Sequence, residues 1–491
     1  MGMIFVLSVY MTISFHGAAR TVTGSKHIIT LNNGKKVLLD CGLFQGMGTE
    51  TESLNNSFGF DPKDIYVLLL SHAHIDHTGL IPKLVKEGFT GRIVCTEATK
   101  DLAEILLYDS AEIQTYEKSG SANGEKVCTP LYNSDDVTAC LSQFDVVPYD
   151  SWISLDPDID LLYTHTGHLI GSAAITVRIK EGRKRTKILF SGDVGRYRSV
   201  LLQSPVSPPQ ADYIILEGTY GDKRHDVRFN LVESLREWIQ KVCVERGGQL
   251  VIPAFSVGRT QEMLYGLNQL SLEKRLPEIL VFVDSPLSQK ATDTIKKHTT
   301  QFNERLQKVL AVDDDPFDFP GLKYVESVED SRRLVDYKEP CIIISASGTA
   351  DAGRVRHHIC SVLHNAANAV LMAGYCGPKS LGGQLLSGCK EVEIFNEACP
   401  VAAEIGQLQG LSGHGDTDDL SQFLSTQIPE KVKGLFLVHS EQAVQSAFAE
   451  RLSQKGFGRI ECPTIHQEYS LPLPRKRKRI PLKGALSSAV A

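Results

Sequence analysis

Apolar positions change rhythm partway along the chain. Over roughly the first two hundred residues they alternate with polar ones or run in short unbroken stretches, the pattern of strands. Residues 27–31 and 35–40 flank Asn32-Asn33-Gly34, a hairpin signal. Residues 12–15 read as a first core strand. Residues 65–70 are apolar without a break, which predicts a strand buried on both faces. Leu80, Ile81 and Leu84 fall at helical spacing, so a helix is expected over 78–87, stopped by Gly88. Further strands are expected at 175–179, 187–190 and 213–216. Beyond Gly218 strands at 250–253, 279–283, 341–345 and 369–373 alternate with helical stretches, one of them lined by Leu231, Leu235, Trp238, Ile239 and Val242. Such alternation predicts a parallel, doubly wound sheet. Near residue 400 the first style returns, with 406–411 leading to His414 and 435–438 leading to His439.

Composition narrows the setting. The 491 residues are 42% hydrophobic and 22% charged, an ordinary globular balance with length for two or three domains. A formal net charge of −6 means that any nucleic-acid binding must rest on a local cleft, not on overall charge. The 11 cysteines are scattered, odd in number and without a C-x-x-C pair, which reads as reduced thiols in a cytoplasmic setting. Residues 3–15 are largely apolar but lack a basic leader and are too short to span a bilayer, so no membrane partner is expected. The tail contains Arg475-Lys476-Arg477-Lys478-Arg479, which reads either as a solvated end or as a phosphate-touching or nuclear-targeting segment.

The chemistry concentrates in Ser71-His72-Ala73-His74-Ile75-Asp76-His77, directly after the apolar run 65–70. Imidazole and carboxylate are natural zinc ligands, and a tight loop at a strand end can aim several at one point. His72 and His74 can bind one ion; Asp76 and His77 can reach a second. His168 in Gly167-His168-Leu169-Ile170-Gly171 and Asp193 in Ser191-Gly192-Asp193-Val194-Gly195 sit in glycine-flanked loops. Alone, each is as compatible with a structural role; beside the histidine cluster they become candidate ligands, and the two oxygens of Asp193 suit it to bridge. Asp40 ends its strand and could approach the same site.

These residues, in this order, resemble the metallo-β-lactamase hydrolase superfamily. Glu217-Gly-Thr-Tyr-Gly, Ser-Gly-His414-Gly-Asp and Val-His439-Ser-Glu are similar to the three extra motifs of its β-CASP branch. Pro253-Ala-Phe-Ser-Val-Gly-Arg259 and the loop from Ser345 to Arg354 are similar to that branch as well. The resemblance covers residues 11–469. It implies an α/β fold, an αββα sandwich in two chain segments (1–217 and 401–471), with a doubly wound β-CASP cap (218–400) inserted; the basic tail (472–491) lies beyond it. It implies two Zn2+ per chain, one held by His72, His74, His168 and Asp193, the other by Asp76, His77, Asp193 and His439. Asp40 would hold a ligating histidine from behind.

The implied activity is zinc-dependent ribonuclease action on single-stranded RNA, endonucleolytic, with 5′ exonuclease activity as a second mode. A hydroxide activated by two metals would attack phosphorus. Asp76, Glu217 and His414 would carry catalysis, with His414 as general acid and Glu217 orienting it; a strand-end carboxylate capping backbone N–H groups is the plainer role for Glu217. In that branch a histidine at the place of His439 accompanies RNA-processing members. Ser256 and Arg259 on one cap loop, and Ser347, Gly348 and Arg354 on another, are candidate substrate-phosphate contacts, because small residues expose N–H groups and arginine offers a fork; a plain strand-to-helix turn remains the alternative. A hydrolase of small esters, thioesters or lactams and a non-catalytic RNA-binding scaffold are the competing readings. A homodimer is compatible with the chain, though no stretch identifies an interface.

Overall fold

The computed structural model describes residues 10–119, 130–226, 228–408 and 410–472. The basic tail lies outside them. Two mixed seven-stranded sheets pack face to face. The first runs, edge to edge, through Gln467–Leu471, Met11–Phe15, His27–Thr30, Lys36–Leu39, Ile65–Leu69, Arg92–Cys95 and Phe144–Val146. The second runs through Ile460–Glu461, Gly434–Val438, Tyr213–Glu217, Lys184–Phe190, Ala173–Glu181, Ile159–His165 and Ile153–Asp156.

The strand Ile65–Leu69 shows why its sequence has no polar gap. Val67 and Leu69 face the core between the sheets, against Ile175, Ile188 and Phe436. Ile65 and Leu68 face outward, under Leu80, Ile81, Leu84 and Leu107. The second sheet is likewise covered outside by Leu420, Phe423, Phe448 and Leu452. Helices therefore lie on both outer faces of a sheet sandwich.

The inserted region forms a parallel six-stranded sheet in the order Leu322–Tyr324, Leu280–Asp284, Cys341–Ser345, Leu250–Pro253, Ala369–Met372 and Glu404–Gln407. Two expectations change here. Residues 406–411 were expected to lead back into the sandwich, but the strand at this point is Glu404–Gln407 and it pairs in parallel with Ala369–Met372. The cap sheet thus continues past the expected boundary at 400. The helix expected over 78–87 is shorter, Ile81–Lys86, and a separate helical turn, Ile75–Thr78, precedes it. Gly79 and Leu80 separate the two, and the turn carries Asp76 and the buried His77.

Candidate metal centre

Each candidate ligand follows a strand at one edge of the sandwich. His72, His74, Asp76 and His77 follow Ile65–Leu69, His168 follows Ile159–His165, Asp193 follows Lys184–Phe190 and His439 follows Gly434–Val438. The loops meet too closely for side chains at two glycines. A Cβ on Gly42 would lie 1.6 Å from the Asp76 carbonyl oxygen, and one on Gly195 would lie 2.0 Å from that of Gly167.

Two nests of donor atoms result. His72, His74, His168 and Asp193 form one; Asp76, His77 and His439 form the other; and Asp193, His414 and His439 make a third grouping that overlaps both. In the first, His72 Nε2 and His168 Nε2 each lie 3.1 Å from His74 Nδ1. Asp193 Oδ2 is 3.5 Å from both Nε2 atoms. In the second, His439 Nε2 is 3.2 Å from His77 Nε2 and 3.3 Å from Asp76 Oδ2. Asp193 Oδ1 faces this nest, 3.4 Å from His77 Nε2, and has no hydrogen-bond donor although buried.

Hydrogen bonds alone do not explain such packing. Three imidazole nitrogens pointing at one another cannot all be satisfied by protons between them, and a buried carboxylate oxygen without a donor is costly. Nitrogens about 2 Å from a tetrahedral ion would sit about 3.3 Å apart. The donor set therefore fits a cation in each nest, with Asp193 shared. Burial holds His72 and His168 well below the ordinary imidazole pKa and brings His74 down to about 4, which keeps them in the neutral form that ligates. Burial also opposes charge on His77, but the carboxylates of Asp193, Asp76 and Asp40 outweigh it and raise its pKa well above the usual value. The second nest thus attracts positive charge.

The groups behind the ligands fix their rings. His77 Nδ1 donates to Asp40 Oδ2 at 2.6 Å, and Asp40 also accepts from the Ser71 amide and hydroxyl, both at 2.8 Å. His168 Nδ1 lies 3.0 Å from the Gly413 carbonyl oxygen, and His439 Nδ1 lies 3.1 Å from Thr219 Oγ1. Ser71 and Thr219 carry no expectation from the sequence, although Thr219 stands inside the Glu217-Gly-Thr-Tyr-Gly motif that could have pointed to it. Asp40 and His439 hold φ of 57° and 55°, the left-handed region that L-residues adopt at some cost.

His414 sits at the open side, with its side chain 21% exposed and Nε2 3.9 Å from Asp193 Oδ2. Its Nδ1 donates to Glu217 Oε1 at 3.1 Å. Glu217 also accepts from the backbone N–H groups of Val194 and Thr219, so the orienting and the capping roles coexist. Burial opposes charge on His414, but Glu217 and Asp193 lift its pKa to about 9.

The candidate phosphate residues fare differently. The turn 255–259 does reach the centre: a Cβ on Gly258 would touch Leu169, and the Arg259 guanidinium lies 3.7 Å from a Cβ built on Gly413. Arg259 is, however, paired with Glu262. Ser256 Oγ lies 3.3 Å from Ser285 Oγ, and Ser347 Oγ lies 3.5 Å from Thr349 Oγ1. Gly348 lies under the Phe255 ring. Arg354 corrects its expectation: its fork binds Asp284 at 2.7 Å and the carbonyls of Val325 and Glu326 at 3.1 and 2.9 Å. Asp284 is fully buried and already bonded to His358, so Arg354 serves the cap's interior.

Known families match along the chain in the same order. The Metallo-beta-lactamase superfamily matches residues 26–241, the Beta-Casp domain 260–385, and the Zn-dependent metallo-hydrolase RNA specificity domain 399–463. The chain belongs to the metallo-β-lactamase superfamily, in its β-CASP branch. Among similar proteins, Ribonuclease TTHA0252 of Thermus thermophilus is 35% identical over 90% of this chain and 95% of its own length. Transcription termination factor FttA of Methanocaldococcus jannaschii is 28% identical over 90% of this chain and 68% of its own. Cleavage and polyadenylation specificity factor 73 of Drosophila melanogaster is 29% identical over 87% of this chain and 59% of its own. A crystal structure of a protein of unknown function from Enterococcus faecalis V583 shares the fold, with a TM-score of 0.52 and 14% identity over 94% of this chain and 100% of that one.

Proposed function

We propose that this chain is a zinc-dependent ribonuclease that hydrolyses phosphodiester bonds within single-stranded RNA, with 5′ exonuclease action as a second mode. The observation that carries the reading is Asp193, a buried carboxylate with Oδ2 3.5 Å from His72 and His168 in one nest and Oδ1 3.4 Å from His77 in the other, and with His414 3.9 Å away at the open edge. The name of the Thermus relative, a ribonuclease, supports RNA as the substrate. His72, His74, His168 and Asp193 would hold one zinc ion; Asp76, His77, Asp193 and His439 would hold the second. Bound there, the ions would supply Lewis acidity for activating water and offsetting phosphoryl charge.

The chain's own residues complete the chemistry. Asp40 keeps the His77 proton on Nδ1, leaving Nε2 free to ligate. Glu217 keeps His414 charged and points its Nε2 towards the leaving oxygen, to which it gives a proton. On the cap side the turn 255–259 approaches this position, its Arg259 guanidinium 3.7 Å from a Cβ built on Gly413.

The test offers purified protein end-labelled single-stranded RNA, a lactam and a thioester in parallel, with and without a chelator. Internal RNA products that vanish with the chelator and return with zinc are expected. Turnover of a small ester or lactam with RNA left intact would replace this reading.

A further inference from the structure

Two large rings stand in the open beside the metal centre. Phe255 is 48% exposed and Tyr375 62% exposed. Aromatic side chains bury or find a partner when they can, so open rings at a cleft point to a missing partner. Three of the four other exposed rings are covered, Trp152 by Arg178 at 4.0 Å, Phe395 by His357 and Arg356 at 4.4 Å, and Tyr66 by Lys35 at 5.1 Å, the fourth being Tyr10 at the start of the described residues. No cation lies over Phe255 or Tyr375 among the described residues.

Both residues stand in segments that border one loop. A Cβ on Gly348 would lie 2.8 Å from the Phe255 ring, and the thiol of Cys376, the neighbour of Tyr375, faces the Gly348 carbonyl oxygen at 3.7 Å. Both also border the chemistry. Phe255 opens the turn whose Arg259 approaches Gly413, beside His168. Tyr375 follows Gly374, whose carbonyl oxygen accepts from Gln407 Nε2 at 2.9 Å at the end of the strand Glu404–Gln407 that leads towards His414.

Two arginines of the cap loops are already engaged. The forks of Arg259 and Arg354 are held by Glu262 and Asp284, and the chain is net negative at −6. Contacts to the bases would add to what bound metal ions and a charged His414 offer the phosphates. Stacking on aromatic faces supplies such contacts with little sequence preference, since every base has a π-face.

We propose that Phe255 and Tyr375 stack the bases flanking the scissile phosphate and thereby select single strands. The inference rests on the ribonuclease reading for the identity of its ligand. A duplex keeps its bases paired and stacked, so it cannot present them to these rings.

The test measures, by fluorescence anisotropy, binding of a labelled single-stranded RNA and of the same RNA made abasic at a run of central nucleotides. Wild type, Phe255→Ala, Tyr375→Ala and Tyr375→Phe are compared. Each alanine variant is expected to bind base-bearing RNA about 5- to 100-fold more weakly. Tyr375→Phe should bind like wild type, and on abasic RNA the four proteins should converge. Wild type that binds both RNAs equally, or alanine variants that weaken both equally, would overturn stacking. Cleavage of the same RNA by wild type is scored separately. Base-dependent binding without cleavage would leave stacking standing and remove the ribonuclease reading.

Discussion

Replacing Asp40 by asparagine changes one buried atom and tests how the centre is tuned. Asp40 Oδ1 accepts the Ser71 amide at 2.8 Å, while Oδ2 accepts the Ser71 hydroxyl at 2.8 Å and His77 Nδ1 at 2.6 Å. Asparagine keeps the shape but turns one acceptor into a donor. With its NH2 at the Oδ1 place it meets the Ser71 N–H, and a buried donor left without an acceptor costs about 1–3 kcal/mol. With its NH2 at the Oδ2 place it meets the Nδ1 proton of His77. The imidazole then moves that proton to Nε2, the atom facing Asp193 and His439, and blocks the lone pair a metal needs. The first outcome costs stability; the second lowers zinc affinity by about 10- to 100-fold, the usual effect of losing a group behind a ligating histidine. Zinc titration against a competing chelator measures the second, and RNA cleavage should then recover as free zinc is raised. A folded Asp40→Asn protein that binds zinc as wild type does and is no less stable would refute the reasoning, because neither the Ser71 amide nor the tautomer of His77 would then depend on Asp40.

Other perturbations separate the remaining roles. His414→Ala should keep its zinc and lose about 10²- to 10⁴-fold in kcat; loss of zinc on elemental analysis would make His414 a ligand. Glu217→Gln removes a carboxylate that raises the His414 pKa, so the alkaline limb of the kcat profile, where His414 loses its proton, should move to lower pH. Gly195→Ala places a methyl 2.0 Å from the Gly167 carbonyl and should yield protein depleted in zinc or unfolded, read by elemental analysis and circular dichroism. Asp109 has its pKa pushed up to about 6 by burial and by Glu112, against the pull of Lys290. A raised carboxylate pKa costs stability above pH 6 and nothing below the unfolded value, so Asp109→Asn should raise Tm at pH 7, by roughly 1–3 kcal/mol of stability, with the gain fading at pH 4.

Much of this organisation is legible in the chain because it is local. The unbroken run at Ile65–Leu69 announces a strand with apolar neighbours on both faces, and the sandwich supplies them. Ligand-type residues directly after strands announce a site at one sheet edge, and the two nests form there. What the sequence hides is long-range pairing. Glu404–Gln407 has nothing in its own pattern to choose Ala369–Met372 as its neighbour over a strand of the sandwich. Arg354 looks free until Asp284, seventy positions earlier, is seen beside it. Ser71 and Thr219 are common residue types whose roles exist only through the rings they touch. Gly79 and Leu80 separate the turn that carries Asp76 and His77 from the helix after it, a division the apolar spacing of Leu80, Ile81 and Leu84 does not express.

The most direct test of the two-metal ribonuclease account measures zinc content and RNA cleavage on the same samples of wild type and His74→Ala. His74 belongs to one nest only, 3.1 Å from both His72 and His168. The account predicts about two zinc ions per wild-type chain with internal cleavage of end-labelled RNA. It predicts that His74→Ala retains fewer ions and leaves the RNA whole. Zinc-loaded wild type without cleavage, or a variant that cleaves as well as wild type, would contradict it.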